Sequence, residues 1–114
     1  MTDRELLVLA AKAAGIKIGK SEFNGGGRGN TGFNISGDVV VSWHDNETWN
    51  PLRDDGDALR LAVKLRMLVD VTRFSTTAIA NGDTHAAEKH NGDPYAATRR
   101  AIVRAAAAIG EGMK

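Results

Sequence analysis

The sequence contains no cysteine. That excludes disulfides, thiolate nucleophiles and every cysteine-ligated zinc or iron–sulfur site. Proline occurs twice and aromatics make up 5% of the chain, so the position of each carries information. Neither sign of charge dominates, with 15 Lys and Arg against 14 Asp and Glu and a net charge of +1. Nucleic-acid affinity rests on phosphate neutralisation, and this balance is a poor match to it, as it is to an acidic DNA mimic. The longest wholly apolar run, Leu6 to Ala11, is far short of the roughly 20 residues that a membrane span needs. The opening Met-Thr-Asp-Arg-Glu-Leu sets acid beside base with no long apolar core, so no signal peptide is expected there. With no repeat and no linker, the 114 residues are expected to form one cytoplasmic domain, 1–114.

Local signals place three helices. Thr2 with Glu5 three residues on is a capping box, and Leu6, Leu9, Ala10 and Ala13 recur at helical spacing, widened by Leu7, Ala11 and Ala14. Gly15 suits the left-handed residue that ends such a helix, giving a span of 3–14. A second helix is predicted over 55–66. Ala58, Leu61, Ala62 and Leu65 share one face with Leu59 and Val63 beside it, acids crowd the start, and Lys64 and Arg66 lie near the end. The third begins at Asp93-Pro94, carries the stripe Tyr95, Thr98, Ile102, Ala105 and Ile109, and is expected to end at Gly110 and Gly112.

Between them lie strands. Ile16-Lys17-Ile18 reads as a short one, and 32–36 with 38–44 as a hairpin turning at Gly37-Asp38. Segments 67–74 and 76–80 read as two antiparallel strands followed by a turn at Asn81-Gly82-Asp83. His85 to Asn91 fits a final strand or a loop equally well. The order implies an α+β domain, with a mainly antiparallel sheet on which an N-terminal, a central and a C-terminal helix pack.

No constellation spells out a reaction. Five glycines in Phe23 to Gly32, with Arg28 among them, would let backbone amides and a guanidinium meet a phosphate. No Gly-Lys-Ser/Thr and no helix follows, so this is no Walker loop, and a plain hairpin connection explains it as well. His85 and His90 lie near Asp83, Glu88 and Asp93, but without the spacing of a helical metal pair. A histidine with a nearby acid would be the centre of a small nucleotide-cleaving enzyme, the third-ranked expectation. No metal or cofactor is expected. Trp49, in a polar stretch before Pro51, can stack on a planar ligand or anchor a partner; it can equally plug the open edge of a small core. Arg60 with Lys64, and Arg100 with Arg104 beside Arg99, form basic pairs on two helices. These could clamp an anion or simply be solvated faces.

Two segments carry a resemblance. Trp49-Asn50-Pro51-Leu52 running into Asp54-Asp55-Gly56-Asp57-Ala58-Leu59-Arg60-Leu61-Ala62, and Gly92-Asp93-Pro94-Tyr95-Ala96-Ala97-Thr98-Arg99-Arg100-Ala101-Ile102-Val103, resemble small uncharacterised proteins of tailed phages and prophages. More distantly, the layout is similar to the NinX-type phage proteins. The likeness leaves out Glu22 to Asn34. It implies an accessory protein in the cytoplasm of a bacterial host that works by binding and blocking. The leading expectation is a counter-defence sponge for a phosphorylated nucleotide, with Arg28, Trp49, Asn50, Arg53, Asp54, Arg60, Arg99 and Arg100 as ligand-binding candidates and no catalytic residue. The alternative is an inhibitor that holds a host protein, with Trp49, Phe74 or Tyr95 as anchors. A homo-oligomer is expected in either case, with the alanines Ala96, Ala97, Ala101 and Ala105 to Ala108 packing the last helix, with Arg100 and Arg104 on its flank, against its mate.

Overall fold

Thr2 caps the first helix as its sequence implies. Its hydroxyl accepts from the Glu5 amide at 3.1 Å, and the Glu5 carboxylate accepts from the Thr2 amide at 2.8 Å. The computed structural model describes residues 2–16, 33–36, 39–42, 48–80 and 84–113. The helix, α1 (Asp3–Ala13), ends where Gly15 turns left-handed at φ +80°. Its close is a Schellman turn, in which the Ile16 amide donates to the Ala11 carbonyl and the Gly15 amide to that of Lys12.

Three short strands follow. β1 (Phe33–Ser36), β2 (Val39–Ser42) and β3 (Thr48–Trp49) form an antiparallel sheet in that order, with Phe33 opposite Ser42 and Val40 opposite Trp49. The expected hairpin is present, and β3 forms within the polar stretch that holds Trp49. Ile16 is irregular rather than extended. Lys17, Ile18, the glycine-rich stretch with Arg28, the Gly37-Asp38 turn, Trp43, His44 and the turn at 81–83 lie outside the described residues.

α2 (Asp55–Lys64) is capped by Asp54, whose carboxylate accepts from the Asp57 amide at 2.7 Å. It stops two residues short of expectation. Arg66 takes φ +55°, and the Met67 amide reaches the Ala62 carbonyl in a second Schellman turn. Then β4 (Leu68–Val71), β5 (Ser75–Ala80) and β6 (Thr84–Lys89) make a second antiparallel sheet in sequence order. The described strands thus form two sheets of three, and 84–89 is strand. Asn91 and Gly92, at φ +49° and +91°, turn the chain into α3 (Pro94–Glu111), where Asp93 accepts from the Ala96 amide.

The architecture is α+β, and α3 is its spine, touching α1, α2, β5 and β6. Of the buried apolar side chains among the described residues, thirteen of eighteen are alanine, which lets backbones approach closely. At Gly110 the approach is extreme: a methyl group there would overlap the Leu9 carbonyl oxygen and lie 2.8 Å from its carbon. Gly110 therefore sits inside α3 as a helix-crossing point, and only Gly112 serves as its end. Ala97, Ala101, Ala105, Ala106 and Ala107 are buried within the protomer. They are not a free stripe for a mate, and of the expected face Ala108 is exposed. No described helix is long and apolar enough to cross a membrane.

Candidate functional site

The turn that enters α2 is built around Asn50. Its side-chain oxygen accepts from the Leu52 amide at 3.1 Å, and its carbonyl accepts from the amides of Arg53 and Asp54 at 3.0 and 2.8 Å. Its own amide donates to the Asp57 carboxylate at 2.9 Å. Both residues are 8% exposed, so these bonds satisfy groups that burial would otherwise penalise. The other Asp57 oxygen takes Arg60 at 2.7 Å, and Asp54 lies 4.0 Å from the same guanidinium. Pro51 is fully buried, and Trp49 rests half-buried against the hydrophobic core. Arg53 is exposed.

Arg99 reaches this turn from α3. Its Nε donates to the Leu52 carbonyl at 2.9 Å and its Nη1 to Asp55 at 2.6 Å. The two neighbouring arginines part company here. Arg100 turns to α1 and β6, with Asp3 at 3.0 Å and Glu88 at 3.9 Å. Arg104, one turn further, joins Glu88 and the Ala87 carbonyl. Asn50, Asp54, Arg60 and Arg99 are thus gathered at the start of α2, Arg100 lies elsewhere, and these guanidinium groups already face carboxylates.

His90 is held in a network of hydroxyl and carbonyl groups. His90 Nδ1 lies 3.2 Å from the Arg73 carbonyl, which can only accept, so that nitrogen bears the proton in this contact. His90 Nε2 then receives the Thr76 hydroxyl at 2.9 Å, and Thr98 completes the chain at 2.8 Å from Thr76. A hydroxyl on an oriented histidine is the geometry of a nucleophile and its base. Thr76, however, is fully buried and out of reach of a substrate, and the network ties β5 to α3. His85 is exposed. Among the described residues, no three His, Asp or Glu side chains are placed to hold a metal ion. At the start of α1, the Thr2 amide, then its hydroxyl, hold the Glu5 carboxyl below the ordinary glutamate range.

An apolar cleft of about 530 Å³ opens between α2, β4 and the start of α3. Ala58, Ala62 and Ile102 line its inner part; Leu59, Val69, Val71 and Tyr95 flank it; and the Asp55–Arg99 pair stands at one end. Leu59, Val71 and Tyr95 are 63%, 55% and 70% exposed. Of the seven sequence candidates among the described residues, Arg99 alone lines it. Tyr95, expected on the core stripe of α3, instead faces solvent. The sequence signal for the cleft was the width of the apolar face on α2, whose Leu59 and Val63 exceed what the protomer covers. No family model matches the chain, and no match was found among curated proteins or solved structures.

Proposed function

We propose that this chain is a small binding protein that acts by sequestration, holding a ligand with a planar ring and an anionic group in the α2–β4–α3 cleft. The observation that supports this reading is the pairing of Tyr95 and Arg99, one helical turn apart and lining the same apolar cleft. A ring can stack on Tyr95 between aliphatic walls, and a phosphate can replace the Asp55 carboxylate on the Arg99 fork. The cleft volume lies within the range of about 300–1,000 Å³ usual for small-molecule sites. Taken with the resemblance to small tailed-phage proteins, the ligand is read as a phosphorylated nucleotide of host defence, and the reading assigns no catalytic step.

Calorimetry with cyclic and ADP-ribose-type nucleotides tests it. Binding is expected, weakened by roughly 10- to 100-fold in Tyr95→Ala, since one base stack contributes about 1–3 kcal/mol. Asp55→Asn should tighten it, because the competing carboxylate is gone. Absence of heat with every nucleotide would overturn the reading. A second reading, inhibition of a host protein, is favoured by the exposure of Leu59, Val63, Val71 and Phe74. A stoichiometric host partner that survives high salt and is lost in Leu59→Lys would select it instead.

A further inference from the structure

We infer that β4 is the self-association edge of the protein, and that a second copy pairs its own β4 alongside, across a twofold axis, over the mouth of the cleft. The two edges of the second sheet differ. β6 carries His85, Glu88 and Lys89, and Arg104 reaches over it to the Ala87 carbonyl and to Glu88. Charges of this kind blunt an edge against strand addition. β4 reads Leu-Val-Asp-Val, with Asp70 as its only charge. It has no neighbour on its open side among the described residues, because the sheet order is β4-β5-β6.

The exposure pattern is that of a strand lacking a neighbour. By register, Val69 and Val71 share the face of Ala78 and Thr76, the face on which α3 packs, while Leu68 shares the opposite face with Ile79. Yet Leu68 and Val71 are both more than half exposed, at 63% and 55%. A helix laid on the sheet would cover one face only; an added strand flanks side chains on both.

Area and charge point to a second copy as the occupant. Leu59, Val63, Leu68, Val71 and Tyr95 are each more than half exposed and together present about 500 Å² of apolar surface. A standard interface takes about 800 Å² per partner, about 65% of it apolar in homodimers, which is the same apolar share. A net charge of +1 gives two copies little to repel. The pairing is isologous, so one patch serves both sides and the assembly closes at two. It does not require the nucleotide reading, because assembly is measured without ligand.

Light scattering and sedimentation equilibrium at roughly 0.1 mM, above the micromolar Kd that a weak interface of this size gives, provide the test. The full chain should run at twice its 12.1 kDa mass. Val71→Lys and Leu68→Lys, on opposite faces and both exposed, should each raise the dissociation constant at least 100-fold while far-UV circular dichroism stays unchanged. Ala108→Glu, on the far side of α3, should leave the dimer intact. Hydrogen exchange adds a readout of the backbone: in the paired dimer every amide from Leu68 to Val71 is protected, whereas pairing with β5 alone protects alternate ones. A monomer at this concentration overturns the proposal. So does a dimer indifferent to both lysines, or one in which β4 keeps the alternate exchange pattern.

Discussion

A methyl group decides whether α1 and α3 can meet. At Gly110 it would overlap the Leu9 carbonyl, which is backbone and cannot swing away. Gly110→Ala should therefore destabilise the fold by about 1–3 kcal/mol, the range for overpacking. Gly112→Ala, whose added carbon would find nothing nearer than 3.7 Å, should change stability by less than about 0.5 kcal/mol. Urea denaturation of the two variants checks the contrast. The sequence marked Gly110 as a helix end because glycine near an apolar run is a stop signal. Its true role depends on a carbonyl a hundred positions earlier, which no local pattern reveals. Glu5 is the opposite case. Its partner is three residues away, so the capping box was legible, and the lowered carboxyl pKa follows from the Thr2 amide and hydroxyl that the box sets beside it.

At the level of elements, the starts of all three helices were readable because the capping signals at Thr2, Asp54 and Asp93-Pro94 are local. The end of α2 was not, since the left-handed position there holds Arg66 rather than glycine. An L side chain in that conformation costs about 1–2 kcal/mol, and glycine gives part of this back through the greater freedom of the unfolded chain. Arg66→Gly is therefore expected to stabilise the protein by about 0.5–1 kcal/mol, seen as a higher thermal midpoint. The candidate site was legible in part. The sequence singled out the acids and arginines around α2, and the structure links Asn50, Asp54, Asp57 and Arg60 there, mostly as the scaffold of a turn. The cleft was missed because Leu59 and Tyr95 look like core residues on a helical wheel. Whether such a side chain is covered depends on what lies opposite, and opposite these two lies a short edge strand.

For the molecule as a whole, the buried alanines of α3 hold the protomer together. Ala97 is 7% exposed, and a glutamate there would place an unpaired charge in the core. Ala97→Glu is expected to cost about 3 kcal/mol or more, and thermal unfolding monitored by circular dichroism should show an early or absent transition. The same substitution on an intermolecular helix face would separate subunits and leave each one folded. The α+β class and the antiparallel connectivity were legible because the strands are short and joined by tight turns. Their division into two sheets was not, since it depends on where α2 enters between Trp49 and Leu68.

The position of α3 also bears on how the protein is made. Synthesis runs from the N-terminus, so the helix on which α1, α2, β5 and β6 rest emerges from the ribosome after all of them. Until then α1 lacks the helix that makes most of its contacts. The Lys12 ammonium finds the Met113 carbonyl across 101 positions, and the entropy of closing a loop of that length is lost before any contact repays it. The nascent chain thus carries both meanders and two amphipathic helices without their common support, with apolar faces open to chaperones and to other chains. Folding waits on the arrival of the C-terminal helix, and a ribosome stalled before Asp93 would hold a chain with no native core to protect it.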